Sequence, residues 1–133
     1  MRRLDFYFIL LAAAALPIGV IVGIWMGIAE DFQFAPAHAH LNLLAWVSLA
    51  LFGLTYRAFP ALADSWLGTA HFALASIGAI VFPIGIVLAI TTHSIGLTVF
   101  GSLLWLAGSV LFLANLIRIA FAPAGRSALA PAE

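Results

Sequence analysis

The sequence predicts an all-α membrane protein, a four-transmembrane-helix up-down bundle with both termini cytoplasmic. Three observations lead there. Of 133 residues, 65% are hydrophobic and only 8% charged, whereas about a quarter of a soluble domain is charged. The apolar residues gather into four runs, each near the roughly 20 residues that cross a hydrocarbon core. The basic residues are five arginines and no lysine, and counting four spans places all five on one side of a bilayer.

The runs extend from about Asp5 to Ala29, Ala37 to Phe59, Leu67 to Ile90 and Leu97 to Phe121. Short links, Glu30–Pro36, Pro60–Trp66 and Thr91–Gly96, make neighbouring spans antiparallel. Pro17 and Pro83 fall inside the first and third runs, as membrane helices tolerate. The first run follows Arg2 and Arg3 as a signal peptide would, but it is too long for an ordinary h-region and no polar domain follows. An uncleaved span is therefore expected. Residues 1–121 form one four-span domain, and the small, polar residues 122–133 read as a short disordered cytoplasmic tail.

Arg2, Arg3, Arg57, Arg118 and Arg126 share one side, and Glu30 and Asp31 mark the other. The positive-inside rule assigns the arginine side to the cytoplasm of a bacterial-type inner membrane, with multi-pass topology. His38, His40 and His93 then lie on the periplasmic side. The lipid bilayer is the one partner composition demands. Net charge is zero and no basic patch points to nucleic acid. Without cysteine there is no disulfide, thiolate metal site or CxxCH attachment. No GxSxG, HExxH, Walker or glycine-rich nucleotide signature is present, and no carboxylate pair is poised for acid–base work. Catalysis by this chain alone is not expected.

Gly19, Gly23 and Gly27 form a GxxxGxxxG ridge on the first span. Four-residue spacing sets them on one face, where a helix can approach closely. The ridge reads as a packing or dimer seam, or as the flat wall of a pocket, since Gly27 should lie near the depth of His40.

The second span opens Ala37-His38-Ala39-His40-Leu41-Asn42. Ionisable side chains at membrane depth need a partner, a ligand or a water-lined cavity, and imidazole is the commonest side-chain metal ligand. In a helix His40 aligns with Leu44, Val47 and Leu51, an apolar stripe suited to a pocket wall. His38 turns about 200° away and aligns with Asn42. His40 is thus either an iron ligand or an interfacial histidine bonded to backbone or headgroup. His71, near the arginine end of the third span, should differ from His40 in height by roughly 20 Å. It reads as hydrogen-bonded to Asn115, or as a separate metal or proton-relay site. His93, in the outer link, is a solvated loop residue or a same-side partner for His40.

His40-Leu41-Asn42-Leu43-Leu44, followed by Phe52-Gly53-Leu54-Thr55-Tyr56-Arg57-Ala58-Phe59-Pro60, resembles the second helix of heme-copper oxidase subunit I, most closely in nitric oxide reductases and cbb3-type oxidases. His38-Ala39-His40 with Leu43-Leu44 also resembles the HAH motif of the NnrS heme- and copper-containing membrane proteins. The resemblance covers about 25 residues. It implies heme b held non-covalently, with His40 as axial ligand on the outer side. It does not specify the opposite ligand, for which His93, His38 or His40 of a second subunit stand open. The later oxidase helices that bear the other heme and copper ligands are missing, so oxygen or nitric oxide reduction is not implied.

The function expected is heme binding for electron transfer, heme handling or diatomic-gas sensing, linked to respiratory oxidases. Asn42, Gly23 and Gly27 would line the pocket, and a homodimer could form through Gly19, Gly23 and Gly27. The alternatives are an outer-face copper or zinc site of His38, His40 and His93 with Glu30 or Asp31, and a structural or assembly subunit without its own cofactor.

Overall fold

A computed structural model describes residues 3–121. Among them the regular structure is entirely helical, and four helices are long and apolar enough to span a membrane: α1 Leu4–Ala29, α2 Ala35–Ala58, α3 Trp66–Thr92 and α4 Gly96–Ala120. Each begins one or two residues before the apolar run that announced it. The tail over residues 122–133 lies outside the described residues.

The helix ends are set locally. α1 stops at Glu30, whose left-handed conformation (φ 51°) lets its N–H and that of Asp31 reach back to the Met26 carbonyl. α3 also ends at a left-handed residue, His93, φ 57°. Pro17 and Pro83 sit inside unbroken helices. Most large apolar side chains outside the core face outward, Ile28 at 82% exposure and Leu51 at 57% among them. Lipid is the solvent that suits such a surface.

α2 is not uniform. After Ala35–His40 its hydrogen bonds widen to a π-helix over Leu41–Ser48 before α-helix resumes at Leu49. Polar side chains support the widened turns: Asn42 Nδ2 donates to the His38 carbonyl at 2.9 Å. Ser48 Oγ donates to the Leu43 carbonyl at 2.7 Å, five residues back.

The tightest seam joins α3 and α4. A Cβ on Gly101 would stand 2.6 Å from the Phe82 nitrogen, one on Gly78 would stand 2.8 Å from the Trp105 nitrogen, and Gly85 faces the Thr98 backbone. These pairings run in opposite senses along the two helices. Small residues admit such backbone contact, the source of van der Waals gain in a lipid environment. On α1, Gly19 receives the Asn42 side chain and Gly23 the His38 ring.

All four helices converge at the end that carries Arg3, Arg57 and Arg118, called the arginine end below. Phe8 of α1 is fully buried among rings of α2 and α3, with Phe72 at 4.9 Å, His71 at 5.1 Å and Tyr56 at 5.4 Å. Phe112 of α4 closes the layer against Phe52 at 4.7 Å. Asn115 pins the short 3-10 link Pro60–Asp64, donating to the Leu62 carbonyl at 2.9 Å. Its Oδ1 accepts from Ser65 Oγ and Arg118 Nε. Arg57 pairs with Asp5 at 3.5 Å, and Arg118 donates to the Ala61 carbonyl, so Arg57 and Arg118 occupy this end together.

Candidate functional site

The other end carries His38 and His40, both half-buried. Two residues of helix send them to different neighbours. His40 packs its ring on Phe82 of α3, centroids 4.7 Å apart. His38 turns to α1, where its Cε1 atom covers Gly23. Asn42 Nδ2 lies 3.3 Å from both ring nitrogens of His38, so the expected His38–Asn42 pair is formed, with the His38 carbonyl as its shortest contact.

His40 Nδ1 stands 2.7 Å from the Pro36 carbonyl, one helical turn back. A carbonyl can only accept, so Nδ1 carries the proton and donates. In the neutral ring the lone pair then sits on Nε2. Metal-ligating histidines are held in this way, the second nitrogen donating to a carbonyl or carboxylate so that tautomer and ring orientation are fixed. In donor chemistry His40 therefore fits an iron ligand. The sequence left a choice between ligand and backbone-bonded histidine; the backbone bond forms, through Nδ1.

Of the stripe expected below His40, Leu44 is half-buried against the core while Val47 and Leu51 do not face the bundle. Val47 is 40% exposed and Leu51 57%; the buried side of α2 runs instead through Ala37, Ala45, Leu49, Gly53 and Tyr56. The glycine ridge is the cause. It draws the His38 and Asn42 side of α2 toward α1, while His40 packs on α3 and Val47 and Leu51 turn outward. Gly19 and Gly23 are covered by Asn42 and His38, so this part of the ridge serves packing within the chain. It also leaves no gap for a macrocycle at Gly23. Gly27, expected to line a pocket, is exposed with nothing within 4 Å of where its Cβ would be.

His93 is exposed in the left-handed turn after α3. Phe82, at the level of His40, lies eleven residues earlier (93 − 82), a rise of about 16 Å at 1.5 Å per residue. Two axial nitrogens on one iron lie about 4 Å apart, so this geometry does not bring His93 to His40. Nor, among the described residues, do three or more His, Asp or Glu side chains gather as a metal site. The set His38, His40 and His93 with Glu30 or Asp31 is not assembled.

His71 is fully buried in the aromatic layer at the arginine end. Its Nδ1 pairs with the Tyr56 hydroxyl at 3.0 Å, not with Asn115, which is engaged by the 60–65 link. The height argument was right in level and wrong in partner, because Tyr56 reaches across from α2. Among the described residues His71 Nε2 has no hydrogen-bond partner; Phe52 stands edge-on to the ring at 4.5 Å and 83°.

Between α1, α2 and α3 lies an apolar cavity of about 550 Å³. His38 is on its wall and His40 is not. Neither this cavity, the Pro36 acceptor nor the Tyr56–His71 pair was read from the sequence. The Pro36 contact had a signal, since a carbonyl four residues back is within reach of a helical histidine.

No protein-family model matches this chain, and neither a curated protein nor a solved structure does.

Proposed function

We propose that this multi-pass membrane protein binds heme b non-covalently through His40 Nε2 and serves electron transfer, heme handling or diatomic-gas binding beside respiratory oxidases. The observation that carries the reading is the 2.7 Å bond from His40 Nδ1–H to the Pro36 carbonyl. It holds the imidazole in the tautomer that a metal requires. The resemblance of the segment from His40 to Pro60 to the second helix of heme-copper oxidases supports the same atom. The π-helical stretch that begins at the next residue is of a kind frequent at functional sites.

Within this reading the chain's residues have distinct tasks. Pro36 orients the ring, Phe82 packs against one side of it, and Val47 and Leu51 present an apolar wall that would keep water from the macrocycle. That wall faces outward, so a second copy related by a two-fold axis would cover it and bring its own His40 as the opposite ligand. Heme would supply one-electron exchange when both axial positions are filled, or diatomic-gas binding when one is open.

The orientation belongs to the same proposal: an up-down bundle in a bacterial-type inner membrane, with termini and arginines cytoplasmic and His40 periplasmic. The grouping of Arg57 and Arg118 at one end supports it.

The test is the absorption spectrum of protein purified from heme-replete cells. A Soret band that sharpens and shifts on reduction is expected, with one heme per two chains by extraction. Colourless protein would overturn the reading.

A further inference from the structure

We infer that α2 carries one residue more than a straight helix would need, and that the π-helical stretch Leu41–Ser48, by taking it up, turns His40 from the lipid side onto α3. The turn stands on contacts alone; its bearing on iron rests on the heme reading above.

The count starts from Tyr56, whose hydroxyl meets His71 of α3 at 3.0 Å. Below the stretch, plain helical counting holds. Leu49 is seven residues from Tyr56 (56 − 49), about 20° around the helix at 100° per residue, and both are buried. Above it, counting fails. His40 is sixteen residues away (56 − 40), which straight α-helix would set about 160° from Tyr56 and about 20° from Leu51. Leu51 is exposed, yet the His40 ring is half-buried on Phe82 of α3, centroids 4.7 Å apart. Ala37 should lie about 100° off Tyr56, yet it is buried. Leu44 should lie about 120° off, yet it packs on the core.

A single correction repairs all three. A π-turn closes on the fifth residue where an α-turn closes on the fourth, so one residue drops out of the rotation, worth about 100°. Ala37 then falls in line with Tyr56, with Leu44 about 20° and His40 about 60° from it. Asn42 and Ser48, donating to the His38 and Leu43 carbonyls, brace the widened turns that hold this offset.

The offset decides what fixes the imidazole. On the lipid side His40 would keep its bond to the Pro36 carbonyl, which belongs to the same helix, and lose Phe82, which belongs to another. On α3 it has both. Ring orientation sets where a ligating nitrogen aims, so the stretch acts as a positioning element for Nε2.

The chain has no cysteine, so His40→Cys with Phe82→Cys gives a clean pair for a short thiol–thiol cross-linker, applied to the full-length protein in nanodiscs. Deleting Ser48 leaves fifteen steps from His40 to Tyr56 (16 − 1), about 60° in a regular α-helix, so position 40 keeps its place. Inserting an alanine after Val47 adds a second surplus residue and swings position 40 about 100° outward. Cross-linking is expected within twofold of the parent pair on deletion and at least tenfold lower on insertion, with helical circular dichroism retained. No cross-link in the parent pair, or loss of cross-linking or of folding on deletion, would overturn the inference. Parent-level cross-linking on insertion would do the same, and the deletion decides alone if the inserted chain does not fold. In chains that retain His40, the Soret band should follow the same order, kept on deletion and lost on insertion. A band that survives insertion would refute the hold of the stretch over iron. A parent chain without any band would sink the heme reading and leave the register inference to the cross-links.

Discussion

Replacing Gly101 by alanine tests the α3–α4 seam that holds half of the bundle together. The new Cβ would stand 2.6 Å from the Phe82 nitrogen and 2.7 Å from its Cα, whereas nonbonded carbons settle at about 3.5–4.0 Å. Phe82 backbone cannot swing aside, so the helices must part by about 1 Å. Gly78 and Gly108, whose Cβ positions lie 2.8 Å from the Trp105 nitrogen and 3.0 Å from the Ala75 nitrogen, would lose contact with them. Overpacking of this kind costs about 1–3 kcal/mol, a roughly 5-fold to 150-fold fall in the folded-to-unfolded ratio. Steric trapping in bicelles measures it. Gly27→Ala is the internal control, since nothing lies within 4 Å of that Cβ, and it should be neutral. Equal effects for Gly101→Ala and Gly27→Ala would refute the claim that close backbone approach, and not glycine content, makes the seam.

Tyr56→Phe leaves His71 Nδ1 buried without its hydroxyl and should cost about 1–3 kcal/mol in the same assay. Wild-type stability would mean the pair contributes nothing. Asn115→Ala strips the Leu62 carbonyl of its donor and releases Ser65 and Arg118. The clearest sign should be faster amide exchange across residues 60–65 while the α3–α4 seam stays protected. Arg57→Ala breaks an exposed pair with Asp5 and should change stability by about 0.5 kcal/mol or less; a larger loss would show that the pair anchors α1 to α2.

Span number and boundaries were legible because lipid accepts apolar surface on every side of a helix, so length and hydropathy suffice without knowledge of packing. The divergence of His38 and His40 was legible too, being a property of 100° steps. Which side of α2 turns inward was not. That depends on Gly19 and Gly23 accepting Asn42 and His38, a contact between helices that no spacing along one helix encodes. The stripe Leu44, Val47 and Leu51 was equally apolar, and apolarity inside a membrane carries no inside-or-outside signal. The π-helical turns escaped for a related reason: Asn42 was read as a partner of the His38 ring and a pocket-lining residue and Ser48 carried no reading, whereas they bond the carbonyls of His38 and Leu43. His71 was assigned to Asn115 by depth alone, and depth does not distinguish Asn115 from Tyr56.

The central claim is that His40 Nε2, presented by the Pro36 carbonyl, holds iron. The direct test compares Soret absorbance of wild type, His38→Ala and His40→Ala, with imidazole then added to each. The account predicts that His40→Ala loses the band, that added imidazole restores it, and that His38→Ala keeps it throughout. A band that survives in His40→Ala, or that vanishes only in His38→Ala, would contradict the assignment.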